Sequence, residues 1–229
     1  MSTAEFQRAR SADAKQQREE AILTAAADLG ASRGIRSVTL TDIAAAVGMH
    51  KSAMLRYFET RELIFLRLTA LGWRDWSADL LERLGGLAAS SAGAPAPRSL
   101  EAEIATAFAE TLVARPMFCD LLAQAPLNLE RNVSIESVRS FKLVTLTEVE
   151  RISRELARLL GLDAQHCVDV IATATSLAGA LWQMATPGPE VMELYRGDPR
   201  LAHAVVEVGP RLVRVLTALL AGLSATDAG

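Results

Sequence analysis

Cysteine is nearly absent from this sequence: Cys119 and Cys167 are the only two among 229 residues. Two scattered thiols exclude a disulfide scaffold and suit a reducing compartment, so the cytoplasm is the expected location. Aromatic residues make up 5 % of the chain and strand-favouring runs are scarce, whereas alanine and leucine dominate. That balance predicts an all-α protein. The histidines, His50, His166 and His203, lie far apart, and His166 and Cys167 are adjacent rather than one helical turn apart, so no metal site is expected. The sequence has no G-x-S-x-G elbow, no phosphate-cradling glycine loop and no dinucleotide fingerprint after a strand. Its carboxylates show no special pairing. No catalytic residue and no cofactor are therefore assigned, and the chain does not read as an enzyme. Long apolar runs are missing too. The longest, Val170 to Ala185, contains Thr173, Thr175, Ser176 and Gln183 and falls short of the ~20 residues a bilayer crossing needs. It reads as a buried helix, with no membrane partner. The opening MSTAEFQRARSADAKQQREEA has no apolar core and does not read as a secretory signal.

What the chain has is helical punctuation. The polar residues 1–15 are expected to form a flexible N-terminal arm, in which Arg8, Arg10 and Lys15 could touch phosphates. Residues 16–60 read as a first domain and residues 61–229 as a second. A first helix is predicted over Gln16 to Ser32, and a long one from Thr60 to about Leu84. GGLAASSAGAPAP, from Gly85 to Pro97, reads as a loop. Further helices are predicted from Leu100 to Ala114, from Pro116 to Ala123, from Ser134 to Leu160 with Gly161 as its stop, and from Ala164 to Ala185. TPGPE ends that last one. Asp198-Pro199 is a helix-start signal, and the final helix is expected over Pro210 to Leu223. The net charge of −3 is unevenly spread. Through Arg61 there are nine Lys/Arg against seven Asp/Glu, a balance of +2, and the remainder carries −5.

The densest information lies between Val38 and Leu63, VTLTDIAAAVGMHKSAMLRYFETREL. Thr39 followed by Asp42 has the spacing of a capping box, which starts a helix at Leu40. Ile43 and Val47 share one face of it. Gly48 stops it, because a residue without Cβ takes the left-handed conformation of a tight helix exit. Met49 is expected as a buried plug. Lys51 to Phe58 reads as a second helix with Met54 and Phe58 on its inner face. Ala44 is small where two steeply crossed helices must come close. The order of these elements is that of a helix-turn-helix, and the expected partner is double-stranded DNA. Lys51 opens the presumed recognition helix, Ser52 can donate to base or phosphate, and Ala53 offers only a methyl contact.

The segment from residue 14 to about 70 resembles the DNA-binding domain of the TetR family of bacterial transcriptional regulators. Ile22, Ala25, Ala26 and Leu29 run with helical spacing in the first helix, SRGIRSVTL resembles the turn that follows, and LRYFETREL resembles the recognition-helix end and the entry to the fourth helix. The resemblance implies an all-α fold: an N-terminal three-helix, helix-turn-helix DNA-binding domain and a larger C-terminal helical domain for ligand binding and dimerisation. It further implies that Thr39 and Thr41 bind backbone phosphates. His50, Lys51, Ser52, Ala53 and Leu55 would face the groove, and Tyr57 and Arg61 would reach phosphate. His50, Ala53 and Leu55 depart from the family pattern, which reduces the expected hydrogen-bond donors.

For the second domain the implied partners are a second copy of the chain and an unidentified small molecule. Val168, Ile171, Thr175, Leu212, Val215, Leu216 and Leu219 are the candidates for an isologous homodimer contact, with Ala172, Ala178 and Gly179 allowing close approach. Trp73, Trp76, Phe108, Met117, Phe118, Phe141 and Trp182 are the candidates for an apolar ligand pocket. The reading is a ligand-responsive regulator, more a repressor than an activator, that binds a palindromic operator as a homodimer and is released by a small molecule. Two alternatives stay open: a helical carrier or enzyme whose helix-turn-helix is only a fold element, and a DNA-binding activator without a ligand.

Overall fold

Alanine- and leucine-rich segments, most of them opened by a capping side chain or proline, assemble into a bundle in the computed structural model, which describes residues 3–90 and 99–227 and contains no strand among them. Helix α1 (Thr3–Arg33) leads through a 3-10 turn (Ile35–Ser37) to α2 (Leu40–Ala46) and α3 (Lys51–Met54). Ile22 and Ala26 lie one turn apart on α1, and both are fully buried. They close with Ile35, Val38, Ile43, Met54 and Phe58 into the core of this N-terminal unit. Helix α1 starts at Thr3 instead of Gln16, so the segment expected to be a free arm is helical from its third residue. Neither glycine nor proline interrupts it before Gly30.

Helix α4 (Arg61–Ser90) runs from the first unit into the body. Thr60 caps it, its Oγ1 accepting from the Leu63 N–H at 3.1 Å. The helix passes through Gly85 and Gly86 instead of ending at Leu84, since glycine in a helix costs only about 1 kcal/mol. The remainder of the expected loop lies outside the described residues.

The body consists of α5 (Leu100–Val113), α6 (Pro116–Gln124), α7 (Ile135–Leu160), α8 (Ala164–Ala185), α9 (Pro189–Gly197) and α10 (Val208–Asp227). Helix α4 packs on α5 and α7, α8 on α6, α7 and α10, and α10 on α5. The C-terminal stop of α7 is Gly161 at φ 70°, and Asp163 caps α8 by accepting from the His166 N–H at 2.7 Å. The sequence between Ala125 and Asn132 is a π turn followed by a 3-10 turn rather than an open loop. Helix α9 was not foreseen: the Pro-Gly cluster that ends α8 also starts α9, because Pro189 occupies the first turn, where a missing N–H leaves nothing unsatisfied. For the same reason α10 begins at Val208 and runs through Pro210 instead of starting there. Asp198 caps only a 3-10 turn, Pro199–Ala204.

Helices α8 and α10 are each long and apolar enough to cross a bilayer by length and composition alone, which the reading of α8 missed by starting its apolar run at Val170. Helices α6 and α8 come close at Gly179. A Cβ on Gly179 would lie 2.9 Å from the Ala123 backbone nitrogen and 3.3 Å from the Cys119 carbonyl oxygen. Backbone atoms cannot rotate aside as a side chain can, so Gly179→Ala is expected to push α6 from α8 and cost about 1–3 kcal/mol. A fall in the urea midpoint at unchanged m-value checks this. An unchanged midpoint would mean that the two helices have slack.

Candidate nucleic-acid interface

The turn between α2 and α3 is fixed by local chemistry. The Thr39 hydroxyl accepts from the Asp42 N–H at 3.2 Å, while Asp42 Oδ2 accepts from the Thr39 N–H at 2.8 Å and from the Thr39 hydroxyl at 2.7 Å. This is the reciprocal capping box that the sequence predicted. The Arg33 guanidinium adds an ion pair at 3.0 Å from Asp42, tying the end of α1 to the start of α2. The hydrogen bonds from Thr39, side chain first and then backbone, hold the Asp42 carboxyl below its ordinary range, with Arg33 contributing. Gly48 takes φ 63°, its N–H donates to Ala45, and the Met49 N–H donates to the Ala44 carbonyl at 2.8 Å. Met49 is half-buried against the core, less enclosed than a full plug.

Helix α3 is shorter than expected. After Met54 the bonding tightens: the Arg56 N–H donates to Ala53 and the Tyr57 N–H to Met54, three residues back, and one four-residue bond from Phe58 to Met54 closes the segment. His50, which the sequence reading counted as a poor cap, does cap α3. Its Nδ1 accepts from the Ser52 N–H at 3.4 Å and lies 2.9 Å from Ser52 Oγ.

Thr39, Thr41, His50, Lys51, Ser52 and Leu55 are all exposed, while Ala53 and Tyr57 are half-buried. Leu55 is 51 % exposed. Beside them stand two cations the sequence reading did not assign. Lys15 and Arg18 of α1 and Arg56 border one depression together with Tyr57. Arg56 could have been found, since it lies four residues beyond Ser52 and so shares its face. Arg18 could not, because its neighbourhood depends on how α1 crosses α3.

Arg61 does not belong to this surface. Its side chain, 14 % exposed, turns inward: Nε donates to the Val38 carbonyl, Nη2 to the Ile35 carbonyl, and Nη1 to Glu62 Oε1 at 3.0 Å. The guanidinium also lies 4.6 Å from the centre of the Phe65 ring. The phosphate role expected for Arg61 is therefore corrected. The Val38 carbonyl and the Ile35 carbonyl, which also accepts from the Val38 N–H, outcompete solvent for a forked donor at the entry to α2.

Two further contacts fasten the N-terminal unit to the body. Glu59 Oε1 accepts from the Ser134 N–H at 2.9 Å and from the Ser137 hydroxyl at 3.1 Å, at the start of α7. The Ser134 backbone bond is the main cause of its lowered carboxyl pKa. On the other side Asp120 of α6 accepts from the Ile35 N–H at 3.1 Å and from Gln183 Nε2 of α8 at 2.8 Å.

Sequence comparison matches this architecture domain by domain. Residues 22–68 match the family model of bacterial regulatory proteins of the tetR family, and residues 72–227 match a tetracyclin repressor-like C-terminal domain. The chain belongs to the TetR family. It is a helix-turn-helix, DNA-binding transcriptional regulator. Among solved structures, a putative TetR-family regulator from Mesorhizobium loti is 14 % identical with a TM-score of 0.50, over 93 % of this chain and 97 % of that one. A TetR/AcrR regulator from Thermobifida fusca is 20 % identical over 89 % and 96 %, TM-score 0.48, and AmtR of Mycobacterium smegmatis is 20 % identical over 91 % and 92 %, TM-score 0.44. At these identities the likeness concerns the fold alone. No curated protein sequence matches the chain significantly.

In this TetR-family body four of the aromatic residues expected to line a ligand pocket pack against one another among the described residues. Trp73, Trp76, Phe108 and Phe118 are buried and pack edge-on or tilted, with ring centres 5.4–6.0 Å apart. Gly72 admits the Phe118 ring so closely that a Cβ there would clash with it. These four residues are core, not cavity. Met117 and Trp182 instead border an open cleft of about 870 Å³ between the Gly30–Ser37 turn and α6 and α8, and Phe141 borders a separate groove of about 230 Å³. Burial also pushes the Cys119 thiol up to about 12, so it is not a poised nucleophile.

The residues proposed for the dimer contact divide as well. Ile171, Thr175, Ala178, Gly179, Leu212 and Leu216 are buried within the subunit. Their helical spacing marks an inner face, and spacing alone does not say which partner covers it. Val168, Ala172 and Val215 are exposed and Leu219 is half-buried.

Proposed function

We propose that two copies of this regulator bind a palindromic operator and repress transcription, and that a small molecule bound in the body releases them. The observation that carries the DNA half of this reading is the exposed Lys51 at the head of α3, without an ion-pair partner among the described residues and followed by the exposed Ser52, in the same unit as the depression bordered by Lys15, Arg18 and Arg56. A recognition helix presents its N-terminal residues to base edges and phosphates, and a dimer places two of them about 34 Å apart or a multiple of it. Helix α10 supports the dimer. It is apolar enough to pass as a bilayer span, yet only 22 % of its most apolar window is buried in one subunit. Val168 and Ala172 of α8, the helix packed against α10, and Val215 of α10 itself are exposed, and a second copy would cover them.

The coupling would run through α4, which belongs to both units, and through the Glu59 and Asp120 tethers. A ligand that favours one arrangement of those contacts changes the spacing of the recognition helices, and DNA must weaken ligand binding by the same factor. A second reading has its own support. The closed aromatic cluster leaves the middle of the body filled, as in a DNA-binding regulator that senses nothing there.

Footprinting of the DNA upstream of the protein's own gene tests operator binding, and sedimentation tests the dimer. Lys51→Ala is expected to lower the salt-dependence slope of duplex binding by about one unit, as for the loss of one phosphate contact. An unchanged slope would remove Lys51 from the interface, and a protected site without two-fold symmetry would remove the palindromic operator.

A further inference from the structure

The groove of about 230 Å³ lies between α1, α4 and α7 and differs from the aromatic core in being open and chemically two-sided. Its floor is apolar and largely buried: Leu66, Ala70 and Phe141 are under a tenth exposed, with Leu23 of α1 and Val144 of α7 beside them. Its rim carries two arginines of α4, Arg67 and Arg74, both exposed. Neither guanidinium has a carboxylate partner among the described residues, whereas Arg83, Arg115, Arg151 and Arg158 of the same body are each held in an ion pair. The remaining charged rim residue is Glu136, and Ser140 adds a hydroxyl.

From this arrangement the geometry points to a binding site for a small amphipathic monocarboxylate. An apolar trough capped by an unpaired forked cation suits an apolar chain or ring ending in a planar anion. Arg67 and Arg74 are seven residues apart, a rise of about 10 Å, so each guards a different end of the groove. Glu136 on the same rim opposes a second negative charge, which favours a carboxylate over a phosphate dianion. The volume lies below the ~300 Å³ at which pockets for drug-sized ligands begin, so the occupant is an acyl chain of about six to ten carbons or one substituted ring.

The location gives such binding a consequence. The trough is walled by the N-terminal unit through Leu23 and by the first turns of α4 through Leu63 and Leu66. Ser137, whose hydroxyl donates to Glu59, also lines it. An occupant therefore touches one of the two tethers between the units. That consequence rests on the ligand-responsive reading above, whereas the binding site itself does not.

Calorimetric titration of the full-length protein with octanoate, octylamine and octan-1-ol tests the site. Octanoate is expected to bind with a Kd below about 1 mM and octylamine is not. Arg67→Gln or Arg74→Gln, both at exposed positions, is expected to weaken octanoate at least about tenfold while leaving octan-1-ol unchanged, and Glu136→Gln to strengthen it. No octanoate binding below that limit, or equal binding by both arginine variants and the wild type, overturns the site. Octanoate binding that depends on an arginine but leaves duplex affinity unchanged upholds the site and rejects it as the effector switch. Failure to bind octanoate leaves the operator and dimer experiments to decide the regulator reading separately.

Discussion

Trp76→Ala should unfold this protein at markedly lower denaturant than the wild type, by about 3–5 kcal/mol. Trp76 is fully buried, and its ring meets Trp73, Phe108 and Phe118 at once. Its Nε1 donates to Thr111 Oγ1 of α5 at 3.0 Å. Truncation removes the apolar contacts and opens a cavity that backbone packing cannot close. It also deprives the Thr111 hydroxyl of an incoming bond, although that hydroxyl still donates to the Ala107 carbonyl at 2.8 Å. The cost is borne by α4, the helix that carries the N-terminal unit. At about 2–4 °C per kcal/mol for a chain of this size, the melting temperature should fall by about 10 °C or more. Trp76→Phe keeps most of the ring contacts and should lose much less. A small effect for Trp76→Ala, with uptake of an aromatic ligand by the wild type, would mean that the cluster is a ligand site after all.

That cluster marks the limit of what the sequence made legible. Features that depend on a few adjacent residues came through: the Thr39–Asp42 box, the left-handed Gly48, the Gly161 stop, the Thr60 cap, and the full extent of α8. Each is settled by chemistry within one helical turn. Features that depend on what lies across an interface did not. Trp73 and Trp76 have the same spacing whether they line a hole or fill one, and the difference is Gly72 opposite Phe118. Gly179 is small in either reading, and only the position of Ala123 shows that its neighbour is α6 of the same chain. Among the residues proposed to face DNA the exposed side of α3 was readable from the Met54–Phe58 spacing of its inner face. The inward turn of Arg61 was not, because its partners at Ile35 and Val38 are more than twenty residues away. The Glu59 and Asp120 tethers had no sequence signal for the same reason.

Arg61→Ala separates the two readings of that arginine by two measurements that should move in opposite ways from those of Lys51→Ala. Arg61 supplies charged donors to the Val38 and Ile35 carbonyls and pairs with Glu62, in surroundings that leave it 14 % exposed. Hydrogen bonds from a charged group contribute about 1.5–3 kcal/mol each, and here part of the loss is recovered by water reaching the rim. A net destabilisation of about 3 kcal/mol is expected, concentrated where α1 and α2 meet α4. Arg61→Lys should recover little, because an ammonium cannot span two carbonyls as a fork. Duplex affinity falls in Arg61→Ala because the N-terminal unit is less often ordered, so the number of phosphates engaged, and with it the salt slope, stays at the wild-type value. Lys51→Ala gives the converse: unchanged urea midpoint and a slope lower by about one. Should Arg61→Ala keep full stability and lose a unit of slope, its guanidinium reaches phosphate in the complex, and the inward conformation described here is not the one that binds DNA.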